Sequence, residues 1–327
     1  MHIGVIGSNN PDTFGDNIEF TLKQMGHSVT NLGSARPSFK HPMANRAADI
    51  ALQGFPVLES HVHQKMAKTA FDKSCDAVIT TDGSLAPEAV SELQRNGIPV
   101  SLWFPDHVAS LGRQRMLVAP YTAVFFKDMQ LVQRLRDMLD LPVWHLPEAC
   151  NPTWHRPIGE SGKRRVIVVA GNTYMTRLLL LQRLHRAGVP LMIYGNKTPR
   201  WAPKVIPSNL HSNRSVFREE KAKVFREAAG VLNNLYPAEM TGMNARLFES
   251  TGCGAAVLCE RRAELSDLYD TDREVMPFST FEELLNNINL LLDDSALTKS
   301  FGDAASKRAH SEHTYELRLR TILEKMF

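Results

Sequence analysis

Along the first half of the chain, short apolar runs with little polar alternation recur between stretches whose apolar positions repeat every three or four residues. The runs are HIGVIG (2–7), SVTNL (28–32), DAVIT (76–80), IPVSLWF (98–104), TAVFF (122–126) and PVWHL (142–146). Amphipathic segments near 16–25, 44–53, 60–72, 87–95 and 127–139 separate them. A strand with two apolar faces is one covered on both sides, and helices between such strands are the crossovers of a parallel sheet. After residue 164 the alternation restarts, with strands over 165–171, 190–195, 230–234, 255–259 and 274–278. Helices over 175–186, 219–229, 243–250 and 263–268 accompany them, and three helical segments near 280–293, 295–309 and 311–326 close the chain. The pattern predicts an α/β protein of two doubly wound, Rossmann-like domains facing a cleft, because open parallel sheets bind ligands beyond the carboxyl ends of their strands.

Between the two repeats lies PEACNPTWHRPIGESGKR (147–164), rich in Pro, Gly and polar residues. It reads as a linker. The expected division is 1–148 for the first domain, 149–163 for the linker, 164–310 for the second domain and 311–327 for a terminal helix. Composition agrees with this size: 327 residues, 43% hydrophobic and 22% charged, are enough for roughly two buried cores.

Charge excludes little. The formal +3 is spread along the chain, and the basic cluster Lys163, Arg164 and Arg165 immediately precedes a strand, where a solvated strand edge is the simpler reading than a nucleic-acid or membrane site. The cysteines, Cys75, Cys150, Cys253 and Cys259, form no CxxC pair, so neither a disulfide framework nor a thiolate zinc site is expected, and a reducing cytoplasm fits. Met1 runs directly into HIGVIGS, with no basic n-region and no long apolar run, so neither a signal peptide nor a transmembrane helix is expected.

Candidate chemistry collects at the strand ends. The first loop, GSNNPDTFGDN (7–17), offers Gly7 for close backbone approach, with Ser8 and Asn9 beside it as acceptor-binding candidates. It is not GxGxxG, and the second strand ends in NLGSAR without a carboxylate, which disfavours a dinucleotide. Asp82 follows the third strand, and Asp106 and His107 follow the fourth, either as a carboxylate beside an imidazole or as an ordinary turn. His61 and His63 would not share a helix face, so no metal site is expected there.

In the second half, Gly171 and Asn172 end a strand and Arg177 follows on the next helix, an arrangement suited to a diphosphate. Tyr194 and Gly195 end the next strand, where a flat base would lie against the backbone. Asn233 ends a third, and NARLFESTGCGAAVLCE (244–260) opens the next helix with Asn244, Arg246 and Glu249. Two readings of Arg246 and Glu249 stand: an i, i+3 salt bridge, or a cation for phosphate beside a carboxylate for ribose hydroxyls.

These residues carry a resemblance. NARLFESTGCGAAVLCE, preceded by VFREAAGVLNNLYP and followed by HSEHTYELRLRTIL, looks like the carboxy-terminal half of CgeB-like glycosyltransferases, within the group 1 glycosyltransferase clan. WFPDHV and HLPEACNPTWHRP extend it weakly into the first half. The resemblance implies a GT-B fold with a last helix, 315–326, crossing back to the first domain, braced by His313, Tyr315 and Arg318. It implies a hexosyltransferase whose nucleotide-diphosphate sugar, preferably a UDP-sugar, is held mainly by the second domain, with the acceptor, of unidentified class, held by the first. Glu249 would then be the ribose ligand, with Arg246, Asn244, Gly171 and Asn172 near the diphosphate. No cofactor or bound metal is implied, since Arg177, Arg246 and a helix start would stabilise the departing diphosphate. Retention is the commoner outcome in the clan, with Asp106 or His107 orienting the acceptor; were the enzyme to invert, one of them would be the general base. The glutamate often found eight positions before the ribose glutamate is replaced here by Thr241, with Glu239 nearby. The alternatives are a nucleotide-sugar epimerase on the same architecture and a non-catalytic binding or scaffold protein.

Overall fold

The computed structural model describes residues 1–36, 41–111, 114–196, 202–203 and 205–327, and the chain divides into two compact units. The first comprises Met1–Leu146 with Tyr315–Phe327, the second Pro147–Thr314.

In chain order the first unit contains β1 (His2–Ile6), α1 (Phe14–Gln24), β2 (Ser28–Gly33), α2 (Pro42–Gly54), α3 (Pro56–Asp72) and β3 (Ala77–Thr80). It continues with α4 (Pro87–Arg95), β4 (Val100–Phe104), β5 (Ala123–Phe126), α5 (Met129–Leu139) and β6 (Val143–His145). Its six strands are all parallel, in the order β2-β1-β3-β4-β5-β6. Strands β3, β4 and β5 are buried at every position, which is why their sequences lack polar alternation. Side chains set the helix starts: Thr13 accepts from Asp16 N at α1, and Asp128 accepts from Leu131 N at α5.

The second unit contains β7 (Arg164–Ala170), α6 (Met175–Arg186), β8 (Leu191–Tyr194), α7 (Arg218–Glu227), β9 (Ala228–Asn233) and α8 (Ala245–Gly252). There follow β10 (Val257–Glu260), α9 (Leu265–Leu268), β11 (Met276–Phe278), α10 (Phe281–Asp293) and α11 (Ser295–Glu312). Its parallel sheet runs β11-β10-β9-β7-β8. A capping box between Thr280 and Glu283 starts α10. Arg165 of the basic cluster is exposed and pairs with Asp293 at 3.0 Å.

In both sheets the strand order reverses where the first strand meets the third, at β1/β3 and at β7/β9. The topology therefore singles out the loops at those switch points as ligand sites.

The final helix, α12 (Tyr315–Met326), belongs to the first unit and packs on α1, β4 and β5, as the resemblance implied. Tyr315 is 2% exposed and meets Trp103 and Phe14 edge-on, at 5.7 and 5.5 Å between ring centroids. Phe14 and Trp103 close the triangle at 4.4 Å.

The expected linker is not one. Residues 149–163 are part of the second unit, with Ala149, Cys150, Asn151, Trp154 and His155 buried. Its polar groups close on themselves: His155 Nδ1 accepts the Asn151 N–H at 3.0 Å, and the His155 N–H donates to Asn151 O at 2.7 Å. Cys150 pairs in parallel with Thr314, its N–H donating to His313 O at 2.8 Å, and Arg218 lies over the Trp154 ring at 4.2 Å. Turn-forming composition here encodes a packed turn.

Replacing Tyr315 by Ala should destabilise the first unit by roughly 3 kcal/mol, the usual cost of deleting a large buried ring, measured by urea unfolding followed by fluorescence.

Candidate functional site

At the switch point of the second unit, the loops after β7 and β8 touch through backbone alone. Gly171 has φ +125° and Gly195 φ +149°. The Gly171 N–H donates to Tyr194 O at 3.0 Å, and a Cβ on Gly195 would stand 2.4 Å from Gly171 O. Only glycine at 195 permits both the dihedral and the approach. Asn172 is exposed beside them, and Tyr194, 5% exposed, lies beneath the Arg214 guanidinium at 5.6 Å.

Arg177 stands behind this backbone. Its Nη1 donates to Asn172 O at 2.8 Å, Nε to Asn234 Oδ1 at 2.9 Å and Nη2 to Asn234 O at 2.9 Å. Tyr174 donates to Asn234 O at 2.9 Å, and the guanidinium lies 4.6 Å from its ring centroid. At 8% exposure Arg177 ties the ends of β7 and β9 together. Burial, opposed by Tyr174 and aided by the neighbouring Arg246 cation, holds its pKa below the usual guanidinium range. The more exposed cation is Arg246, whose Nη2 would lie 4.0 Å from a Cβ on Gly171.

Helix α8 begins at Ala245, two residues later than expected, because Asn244 is extended (φ −89°, ψ 164°) and acts as N-cap. Its side chain makes no capping bond, and among the described residues its buried Oδ1 has no partner. Asn233 is fully buried and donates to Cys259 Sγ at 3.7 Å, while its Oδ1 is likewise unpartnered. Burial pushes the Cys259 thiol up to about 12, partly offset by that Asn233 bond, so the thiol is inert at neutral pH. Both amide oxygens are buried acceptors with no hydrogen-bond partner among the described residues.

Glu249 is 7% exposed and bridges two cations: Oε2 accepts from Arg246 Nη1 at 2.5 Å, and Oε1 lies 3.0 Å from Lys221 Nζ. The salt-bridge reading of Arg246 and Glu249 is thus realised, with a second partner that no local spacing suggests. Lys221, on α7, is 3% exposed. Its signal was available, since it precedes Val224 and Phe225 by three and four positions on the buried helix face. Thr241, at the position where the clan often has glutamate, donates to the buried carboxylate of Glu264 at 2.7 Å. This pairing, unlike Lys221, had no local signal, because the partners are 23 residues apart.

In the first unit, Gly7 donates to Gly33 O at 2.8 Å, and a Cβ there would meet Thr81 Oγ1 at 2.4 Å. Ser8 and Asn9 are exposed in the loop that Thr13 closes, its hydroxyl donating to Ser8 O at 2.7 Å. Asp82 is engaged on both oxygens, by the Ser34 hydroxyl at 3.2 Å and the Ser84 N–H at 3.1 Å. Asp106 is exposed and shares no hydrogen bond with His107. His107 Nδ1 instead accepts the Ala109 N–H at 3.1 Å, capping a short 3-10 turn over Val108–Ser110. His63 is a buried core ring, Nε2 donating to Ala35 O at 2.9 Å and Nδ1 accepting from Ala86 N at 3.0 Å, while His61 is exposed.

Residues 164–324 match the family described as glycosyl transferase-like. No curated protein matches the chain. Among solved structures, an alpha-glucosyltransferase in complex with UDP and a 13-mer DNA containing a HMU base is similar at TM-score 0.69 and 14% identity, covering 100% of this chain and 99% of that one. Sucrose-phosphate synthase from Thermosynechococcus elongatus follows at 0.67 and 13%, covering 99% and 97%. Anabaena Alr3699/HepE in complex with UDP-glucose is similar at 0.65 and 12%, covering 99% and 98%. The likenesses show the GT-B fold. Among the described residues, no helix is long and apolar enough to cross a membrane.

Glu249→Ala removes the carboxylate shared by Lys221 and Arg246 and should cost about 3 kcal/mol of folding stability. Pairing it with Lys221→Met should recover most of that loss in urea unfolding.

Proposed function

We propose that the protein is a metal-independent, CgeB-like hexosyltransferase that moves a sugar from a UDP-sugar to an acceptor with retention, in the cytoplasm. The carrying observation is the glycosyl transferase-like match over residues 164–324, which contains the whole Gly171, Gly195, Arg246 and α8 cluster. UDP accompanies the alpha-glucosyltransferase and UDP-glucose the Anabaena protein, which favours a uridine donor here.

In this reading the diphosphate lies against the Gly171 backbone and the start of α8, where amide dipoles and the open edge of Arg246 meet anionic oxygens. Arg177 fixes the Asn172 loop, and its buried charge adds to the stabilisation of the leaving phosphate. Asn244 Oδ1 and Asn233 Oδ1 take donor hydroxyls, Glu249 reaches the ribose, and the base rests on Tyr194 and Gly195. Bond cleavage puts positive character on the sugar and negative charge on the departing UDP, which the guanidinium groups and helix start stabilise without a metal.

The acceptor side favours retention as well. A neutral His107 with Nδ1 accepting a backbone N–H carries its proton on Nε2, so that ring donates rather than abstracts. Asp106 and His107 are assigned to orienting the acceptor, together with the Gly7, Ser8 and Asn9 loop. The family match favours transfer over the epimerase and non-catalytic readings.

UDP and a UDP-hexose should raise the melting temperature, the stabilisation reaching about 2.7 kcal/mol at 100 times the dissociation constant. Asn244→Ala should weaken that binding without lowering the melting temperature of the free protein, since its side chain makes no cap bond. No shift with any nucleoside diphosphate would sink the proposal, and an inverted anomeric centre by proton NMR of the product would remove retention.

A further inference from the structure

We propose that the first unit holds a binding site for a small polyhydroxylated ligand bearing an anionic oxygen group, a phosphate ester or a carboxylate, with Arg36 as the anchor and Asp82 as its positioning residue. The claim that this ligand is the acceptor rests on the glycosyltransferase reading; the claim that it binds here does not.

The anchor is built by a closed ring of hydrogen bonds. Asp82 accepts the Ser34 hydroxyl through Oδ2 and the Ser84 N–H through Oδ1. Ser34 Oγ accepts the Arg36 N–H at 3.3 Å, and Arg36 Nε donates to Ser84 Oγ at 3.2 Å. The ring joins the loop after β2 to the loop after β3, at the carboxyl end of the sheet. It engages the guanidinium through Nε alone. Among the described residues, Nη1 and Nη2 of Arg36 have no hydrogen bond, so the end of the fork is open. Two parallel N–H groups on a planar cation match two oxygens of a phosphate or carboxylate, and a guanidinium already held at Nε loses less freedom on binding.

Arg36 lines a cavity of about 570 Å³, within the usual range of small-molecule sites of about 300–1,000 Å³. Arg115, the other cation on its wall, has its charge paired with Glu59 through Nη2 at 2.5 Å, whereas Arg36 has no carboxylate within salt-bridge distance among the described residues. Ile50 also lines the cavity and is 64% exposed, an apolar surface for the body of a ligand. Asp49 and Ser110 add an acceptor and a hydroxyl. A carboxylate close to an anion-binding arginine repels a bare anion and rewards hydroxyls, which is why a sugar or polyol acid fits better than a free inorganic ion.

The test is calorimetric titration of the full chain, without nucleotide, using glucose 6-phosphate, glucuronate, inorganic phosphate and neutral methyl glucoside. Saturable binding of glucose 6-phosphate or of glucuronate, at least about ten-fold tighter than methyl glucoside, supports the site. Which of the two binds identifies the phosphate or the carboxylate source. Arg36→Gln should abolish the preference, and Arg36→Lys should restore it only in part. Asp82→Ala should weaken the charged ligand while leaving the melting temperature unchanged, with Asp82→Asn recovering affinity. Binding of inorganic phosphate as tight as that of the sugar acids, equal binding of the neutral glycoside, no binding of either sugar acid, or an unaltered preference in Arg36→Gln would overturn the proposal. UDP titration of the same Arg36→Gln sample separates the two readings. UDP binding without Arg36-dependent anion binding removes this site and keeps the transferase; the reverse keeps this site and removes the transferase.

Discussion

Because both sheets are parallel and covered on both faces, polar groups with chemical roles are driven to the carboxyl ends of the strands and the loops beyond them. The buried runs of β3, β4, β5 and β9 leave no room for a reactive side chain within the sheet. Strand order then selects among those ends. At β7 and β9 the reversal brings together glycine backbone, a buried arginine and two asparagines. At β1 and β3 it sets the Gly7 loop against Thr81.

Charge in the second unit is organised by buried pairing. Glu249 holds Lys221 and Arg246, and Arg177 is held by carbonyl and amide oxygens, so the site's cations are fixed in place before any ligand arrives. In the proposed transferase such preorganisation would serve electrostatic stabilisation of the leaving group, since no reorientation would remain to be made during bond cleavage. The same pairing makes Glu249 a structural residue, whatever ligand role the proposed function gives it. A simple truncation there would confound folding with binding.

The sheet strands were legible because a short, continuous apolar run bounded by turn residues fits little besides a buried strand, and the helices between them because their periodicity is local. Glycines 171 and 195 were legible because they stand directly at the ends of such runs. What the sequence hid was long-range. Cys150 pairs with Thr314, Thr241 with Glu264, and Arg36 with Ser84 across 48 residues, so no local pattern announces them. The stretch 149–163 was misread because turn-rich composition does not distinguish an exposed tether from a buried turn whose polar groups bond to one another. Lys221 was missed because a lysine on a helix is usually read as solvated, although its apolar neighbours one turn on marked the buried face. At Asp106 and His107 adjacency in sequence did not foretell the hydrogen bonding: the imidazole accepts from the Ala109 N–H and caps a turn.

The placement of α12 has a consequence for how the molecule is made. Tyr315 completes an aromatic triangle with Phe14 and Trp103, residues translated some three hundred and two hundred positions earlier. A nascent chain can assemble the six-stranded sheet early, yet the face that α12 covers stays open until the ribosome has delivered α12. The second unit, contiguous in sequence, has no such wait. Until then the older half of a growing polypeptide exposes the apolar side chains that α12 covers, Phe14 and Trp103 among them, the kind of transient surface that favours association with other chains.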